Sequence, residues 1–446
     1  MMKPNLPPGP RPDLILGNLL AFRRDPLGFY TACAREYGDV ARFRIANVNV
    51  YLISNPKLIE TVLMENNSNF IKGRVIRSNR SLLGNGLLTS EGDFWRRQRR
   101  LSQPAFHRER IAEYATIITQ FTDQIMADWR DGYVCDIQLS MKYLTTKIIA
   151  KILFDADVTK EANEIGAALI VAREELTARM RSGLLIPENI PTPGNLRFRH
   201  AVEQLDKIVF GIIQRRRASK FSGTDLLSSL LAAQDTDGSQ MTDHQLRDEV
   251  MTLFVAGHET TALALTWAIF LLSQNPEVMI RLRTEINEVV GTQLPDINDV
   301  PCLIYTEATA KEVLRLYPPS WTIPRQAIRD CEIGGYFVPA GTSITISQWV
   351  MHRDPRFFEN PKEFIPERWL NNLEKNLPPF VYFPFGGGPR LCIGQSLAMT
   401  EMILVLAMLA RNFDFELLAD PPVMPWPSLT IYPRNGIKIK VRHRAR

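Results

Sequence analysis

The chain has 446 residues, 53 Lys and Arg against 48 Asp and Glu, and 45% hydrophobic residues. That apolar share is ordinary for a globular protein and ample for a core. The five cysteines, at 33, 135, 302, 331 and 392, lack metal-clip spacing, which excludes a zinc site or disulfide framework and fits a reducing cytoplasm. The net charge of +5 is gathered in runs such as Trp95–Arg100 and Gln214–Lys220. Such runs attract phosphates or an acidic partner, or are simply solvated helix faces. No motif or aromatic interleaving points to nucleic acid.

Length alone suggests roughly three domains. Yet no linker, repeat or low-complexity run divides the chain, and Pro187–Asn195 reads as an internal loop. One mainly helical domain over 1–446 is the simpler expectation. The N-terminal run MMKPNLPPGPRPDLILGNLL mixes prolines and charges, so neither a signal peptide nor an integral membrane anchor is expected from it. In chain order, helices are predicted over Asp25–Tyr37, Leu58–Glu65, Asp93–Leu101, Ile111–Asp128, Gln138–Phe154, Lys160–Arg181 and Arg199–Lys220. Asp243–Leu272, Pro276–Val290 and Ile304–Tyr317 follow. Val40–Ile53 alternates around Asn47 as a β-hairpin, and Cys331–Ser347 reads as another around Gly334-Gly335. Ile437, Ile439 and Val441 alternate with basic residues in a final strand. Val250–Leu272 is long enough to span a bilayer but carries His258, Glu259, Thr260 and Thr261 at its centre, which favours a buried core helix.

Phe385–Gly394, FGGGPRLCIG, sets one cysteine among glycines and an arginine, just before a long apolar run. Three glycines let the backbone approach a flat ligand closely. A cysteine ahead of a helix N-terminus meets N–H groups that favour a thiolate, a plausible axial ligand for haem iron. A buried structural cysteine beside a turn is the plainer reading of such a residue taken alone. Ala256-Gly257-His258-Glu259-Thr260-Thr261 interrupts the apolar helix. A mid-helix glycine costs about 1 kcal/mol relative to alanine, so a local widening above a ligand is one expected reason for it. Glu259 and Thr260 then offer a carboxylate and a hydroxyl for moving protons; the alternative is a threonine back-bonded within its helix.

Phe385, Gly388, Arg390, Cys392 and Gly394, with Ala398 beyond, make the segment resemble the haem-binding signature of the cytochrome P450 family. Ala256–Thr260 resembles that family's acid–alcohol motif. Glu312 and Arg315 resemble its E-x-x-R motif, Arg368 in PERW its third partner, and Trp95 with Arg99 its W-x-x-x-R. The family more often has Phe where Trp369 stands here.

The resemblance covers essentially the whole chain and implies the mainly helical cytochrome P450 fold with small peripheral sheets. It implies a monooxygenase with haem b held by Cys392, with O2 as cosubstrate. The implied cofactor-binding set is Trp95, Arg99, Ala256, Gly257, Arg325, Phe385, Gly386, Arg390, Cys392 and Gly394. The arginines and Trp95 are placed on the haem propionates. Glu259 and Thr260 are the implied catalytic pair, and Glu312, Arg315 and Arg368 a structural brace. Electrons are expected from NAD(P)H through a separate ferredoxin and its reductase, or a flavodoxin-type donor, to a cytoplasmic monomer. A peroxygenase, an isomerase or a haem sensor are the rival readings, and the Glu259-Thr260 pair argues against the first two. Phe70–Leu88, Ala167–Leu185, Val250–Thr261 and Ser320–Ile323 are expected to line an apolar pocket, with Phe254, Leu184, Leu185, Trp321 and Ile323 among its walls. A fatty acid, terpenoid or related lipid would suit it.

Overall fold

The computed structural model describes residues 5–444 except 156–163, 167, 170, 173, 176–189, 219–222, 224 and 419–421. Most of the expected helix Lys160–Arg181, with Leu184 and Leu185, lies outside the described residues.

The chain opens with a short helix α1 (Leu19–Arg24) and then α2 (Pro26–Tyr37). Strands β1 (Val40–Ile45) and β2 (Val48–Ile53) form the expected hairpin, turning at Ala46 and Asn47. The predicted helix Leu58–Glu65 begins as an α-turn at Pro56 and widens to a π-turn over Thr61–Glu65. Strand β3 (Phe70–Lys72) is followed by α3 (Gly92–Ser102), α4 (Arg108–Asp128), β4 (Val134–Asp136) and α5 (Ile137–Phe154). Helix α6 (Pro193–Ala218) starts six residues ahead of the expected Arg199, because Pro193 suits a first helical position where no N–H is needed. Helices α7 (Asp243–Leu272), α8 (Pro276–Val289) and α9 (Ile304–Leu316) match their sequence patterns closely.

Cys331–Ser347 divides rather than forming one hairpin. β6 (Cys331–Ile333) and β7 (Tyr336–Val338) pair across Gly334 and Gly335, both in the left-handed region. β8 (Ser343–Ile346) departs to join a larger sheet with β5 (Ile323–Ala327). That sheet runs β1-β2-β8-β5-β3, with only β2 and β8 parallel. After α10 (Gln395–Asn412) come β9 (Phe413–Leu417), β10 (Pro425–Pro427), β11 (Ile431–Pro433) and β12 (Lys438–His443). The final strand falls where its alternation predicts, in the three-stranded sheet β4-β12-β9.

Helix α7 occupies the core. It is apolar on nearly every face, which only burial on all sides can satisfy, and it packs against α5, α6, α9 and α10. Thr242 and Gln245 close its N-terminus in a reciprocal capping box. Although α7 is long and apolar enough to cross a membrane, 67% of its most apolar window is buried inside the protein. Helix α10, starting just past Cys392, is buried almost throughout.

Candidate active site

The cysteine loop is built by glycines whose Cβ atoms have nowhere to go. Gly388 has φ 68°, and a Cβ there would lie 2.1 Å from the carbonyl oxygen of Leu63. Gly387 is pressed on the Phe380 ring, 2.3 Å from a would-be Cβ. By contrast, a Cβ on Gly394 would meet nothing closer than Phe106 at 3.8 Å, and its φ of −91° is ordinary. The bareness of Gly394 therefore leaves open space beside Cys392 instead of relieving a protein clash. The Cys392 N–H donates to Phe385 O at 3.0 Å, which folds the loop back on itself two residues ahead of the cap of α10.

Cys392 keeps an open surface although protein crowds it from behind. That crowding pushes its thiol above the ordinary range, against the opposing pull of the Gly394 N–H and the Arg99 guanidinium. A bound metal ion would remove that proton outright. Arg99 on α3 donates to Leu391 O at 2.8 Å and so ties this helix to the loop.

On the neighbouring side the structure gathers cations. Arg325 on β5 is heavily desolvated, and burial pushes its pKa down to about 10. Its hydrogen bond goes to Pro324 O at 3.1 Å, and among the described residues no carboxylate forms an ion pair with it. Arg390 donates to Glu91 at 2.5 Å and to Phe70 O at 3.2 Å. Lys72, which sequence reasoning missed, donates to Leu87 O at 2.8 Å and Ser90 O at 2.6 Å, and burial pushes it down to about 7. Lys72 and Arg390 both stand over the Trp95 ring, at 5.7 and 5.8 Å. Of these three basic groups, only Arg390 has an ion-paired carboxylate among the described residues, Glu91. A dianionic ligand such as a haem with two propionates fits that surplus. A lysine in a short strand carries no sequence signal of this role; only the sheet pairing Lys72 to Arg325 brings the two together.

The α7 motif divides between two faces. Ala256 is exposed in the middle of a buried helix, and Glu259 and Thr260 are partly so. Gly257 instead faces α5, where a Cβ would lie 2.8 Å from Ile149 Cδ1. The expected widening is absent, since α7 is α-helical throughout. The glycine lets Ile149 of α5 pack directly on the α7 backbone. Thr260 Oγ1 donates to Ala256 O at 2.8 Å, and Glu259 accepts from Thr430 Oγ1 at 3.3 Å. Phe254, expected on a pocket wall, is 1% exposed and belongs to the core. Trp321 is likewise buried, its indole N–H donating to Ser428 O at 2.9 Å.

Behind the loop, Glu312 and Arg315 on α9 form a fully buried pair, joined by Arg368 Nε at 3.0 Å. Trp369 is more than an apolar substitute here, because its indole N–H donates to Glu312 Oε2 at 2.8 Å. Arg315 also donates to His352 O at 2.8 Å, and the His352 Nε2 accepts the Phe383 N–H at 3.0 Å, two residues before Phe385. His352 thus carries the brace to the cysteine loop; nothing in its sequence surroundings marks it.

The basic run on α3 is less free than expected. Arg97 and Arg100 pair with Asp235 at 3.0 and 2.5 Å, while Arg96 pairs with Asp93. Trp95, Arg96, Arg99, Arg100, Gln103, Pro104 and His107 line a surface recess of about 420 Å³.

A helical frame, a glycine-built loop presenting one cysteine, and a cationic recess define the class of haem-thiolate proteins. The chain belongs to the cytochrome P450 family, whose profile matches residues 7–441. It is 37% identical to cyclooctatin synthase of Streptomyces melanosporofaciens over 420 residues, covering 94% of this chain and 91% of that one. It is 33% identical to pentalenene oxygenase of Streptomyces avermitilis, covering 96% of each. The solved structure of retinoic acid bound cyanobacterial CYP120A1 superposes with a TM-score of 0.90 at 25% identity, covering 99% of this chain and all of that one. The protein is therefore a cytochrome P450 monooxygenase with a haem-thiolate cofactor and O2 as cosubstrate.

Proposed function

We propose that the chain is a single haem domain that oxygenates a terpenoid or a similarly apolar lipid, with Cys392 as the axial ligand. The observation that carries the assignment of the ligand is the open space beside Gly394, two residues past the exposed Cys392. Cyclooctatin synthase and pentalenene oxygenase, named for terpenoid products and substrates, support the substrate class, and the retinoic acid complex is compatible with it.

Bound haem supplies the activation of O2 and the transfer of one oxygen atom to the substrate. The protein's own residues do the rest. Arg99, Arg325, Arg390 and Lys72, beside Trp95, hold and neutralise the propionates. Gly386, Gly394 and Phe385 shape the bed for the macrocycle, and Ala256 gives it room from α7. Thr260, whose hydroxyl hydrogen rests on Ala256 O, keeps its lone pairs open to accept from a water and would so position that water for proton delivery. Glu259, which accepts from Thr430, would relay protons toward that water. Gly257 lets α5 pack closely beside this segment.

The recess lined by Arg96, Arg99 and Arg100 suits an acidic redox carrier, since Arg99 there touches the cysteine loop directly. A ferredoxin or flavodoxin-type donor fits this chemistry. Spectral titration of the ferric protein with cyclic sesqui- and diterpenes, fatty acids and macrolides tests the substrate class. Terpenes should shift the spectrum at the lowest concentration; a response to macrolides alone would overturn the reading.

A further inference from the structure

The two most exposed large apolar side chains among the described residues are consecutive, Leu14 at 93% and Ile15 at 81%. They are held rigidly. The Asp13 carboxylate accepts the N–H groups of Ile15 and Leu16 at 3.0 and 3.1 Å, and Asp13 and Gly17 exchange backbone hydrogen bonds at 2.9 and 3.1 Å. Arg44 on β1 donates to Asp13 O at 2.5 Å and Leu14 O at 2.7 Å. Leu16 O accepts from Ala46 N and Leu19 N. The polar backbone of this tip is thus largely satisfied from within, the condition for entering a medium without water.

One turn further, Leu20 on α1 is 66% exposed. Arg23 and Arg24, at i+3 and i+4 from it, share its face and are exposed, and Arg11 is exposed on the other side of the tip. Asp13 is the acidic residue between them, and its carboxylate is committed to the turn. An apolar tip rimmed by arginines matches the acyl boundary and headgroups of an anionic membrane. The β1 strand that anchors the tip belongs to the same sheet as β5, which carries Arg325.

We propose that Leu14, Ile15 and Leu20 insert shallowly into an anionic phospholipid bilayer, with Arg11, Arg23 and Arg24 on its phosphates, as a reversible peripheral dock. This goes beyond the oxygenase reading and does not depend on it. It would place the enzyme where apolar substrates concentrate.

Co-sedimentation of the full-length holoenzyme with vesicles of phosphatidylcholine mixed with phosphatidylglycerol, or of phosphatidylcholine alone, tests it. Wild type should pellet with the mixed vesicles and weaken at high salt. The Leu14→Ser/Ile15→Ser variant should lose about tenfold in partitioning. Arg23→Glu/Arg24→Glu should abolish the preference for anionic lipid. Both variants should keep the wild-type haem spectrum and turnover in detergent-free buffer. Failure of wild type to bind mixed vesicles, or equal binding by Leu14→Ser/Ile15→Ser, would overturn the proposal. So would a wild-type dimer in size exclusion that this variant turns into a monomer, since a second copy would then cover the tip.

Discussion

Arg315 meets Glu312 through two parallel hydrogen bonds of 2.8 Å, in a pair with no exposure to water at either side chain. The carboxylate also accepts from Arg368, Trp369 and the Ile365 N–H. Such satisfaction is what makes a buried ion pair tolerable. Glu312→Gln leaves Arg315 buried without its counter-charge and should cost about 3–5 kcal/mol in urea unfolding. Trp369→Phe removes one hydrogen bond to a charged group and should cost about 1.5–3 kcal/mol. Equal stability of Trp369→Phe and wild type would show that the indole bond adds nothing.

Glu401 is fully desolvated on α10, and its Oε1 has no hydrogen-bond partner. Burial raises its pKa from an ordinary 4.5 to about 8. The folded state therefore holds a proton that the unfolded chain has released between those values. Stability should fall as pH rises through this window, by about 1 kcal/mol per unit, and level off above it. Denaturant titrations of Glu401→Gln should show a flatter pH profile. An unchanged slope would mean that other groups set it.

Arg325 holds its charge without a carboxylate partner among the described residues, a costly arrangement unless an anion arrives. Arg325→Leu should leave the apoprotein as stable as wild type or more so, yet speed haem transfer to a haem-scavenging globin by about tenfold or more. Haem retention equal to wild type would remove Arg325 from the propionate set.

Thr260→Ala should leave substrate binding intact and divert reducing equivalents to hydrogen peroxide, with product formation down about 10²-fold or less. Thr430→Val should raise peroxide more mildly, because it only loosens Glu259. Full coupling in Thr260→Ala would assign proton delivery to Thr261 or to water.

Long helices and the final strand were legible because periodicity and flanking prolines or caps mark them, as at Pro276 and Thr242. The divided fate of Cys331–Ser347 was not, since pairing of β8 with β2 joins segments almost three hundred residues apart. The same limit hid Lys72 and His352: their importance arises from partners on distant strands and loops. Gly257 shows a different limit. Its smallness was visible, but which side of the helix needed it was set by Ile149 on α5.

The central claim is that Cys392 binds the haem iron as a thiolate. The difference spectrum of the reduced, haem-loaded protein with carbon monoxide tests this most directly. Wild type should show the strongly red-shifted Soret band of thiolate ligation, and Cys392→Ser should lose it while other cysteine replacements do not. A wild-type protein that is folded and haem-loaded but lacks that band would contradict the account.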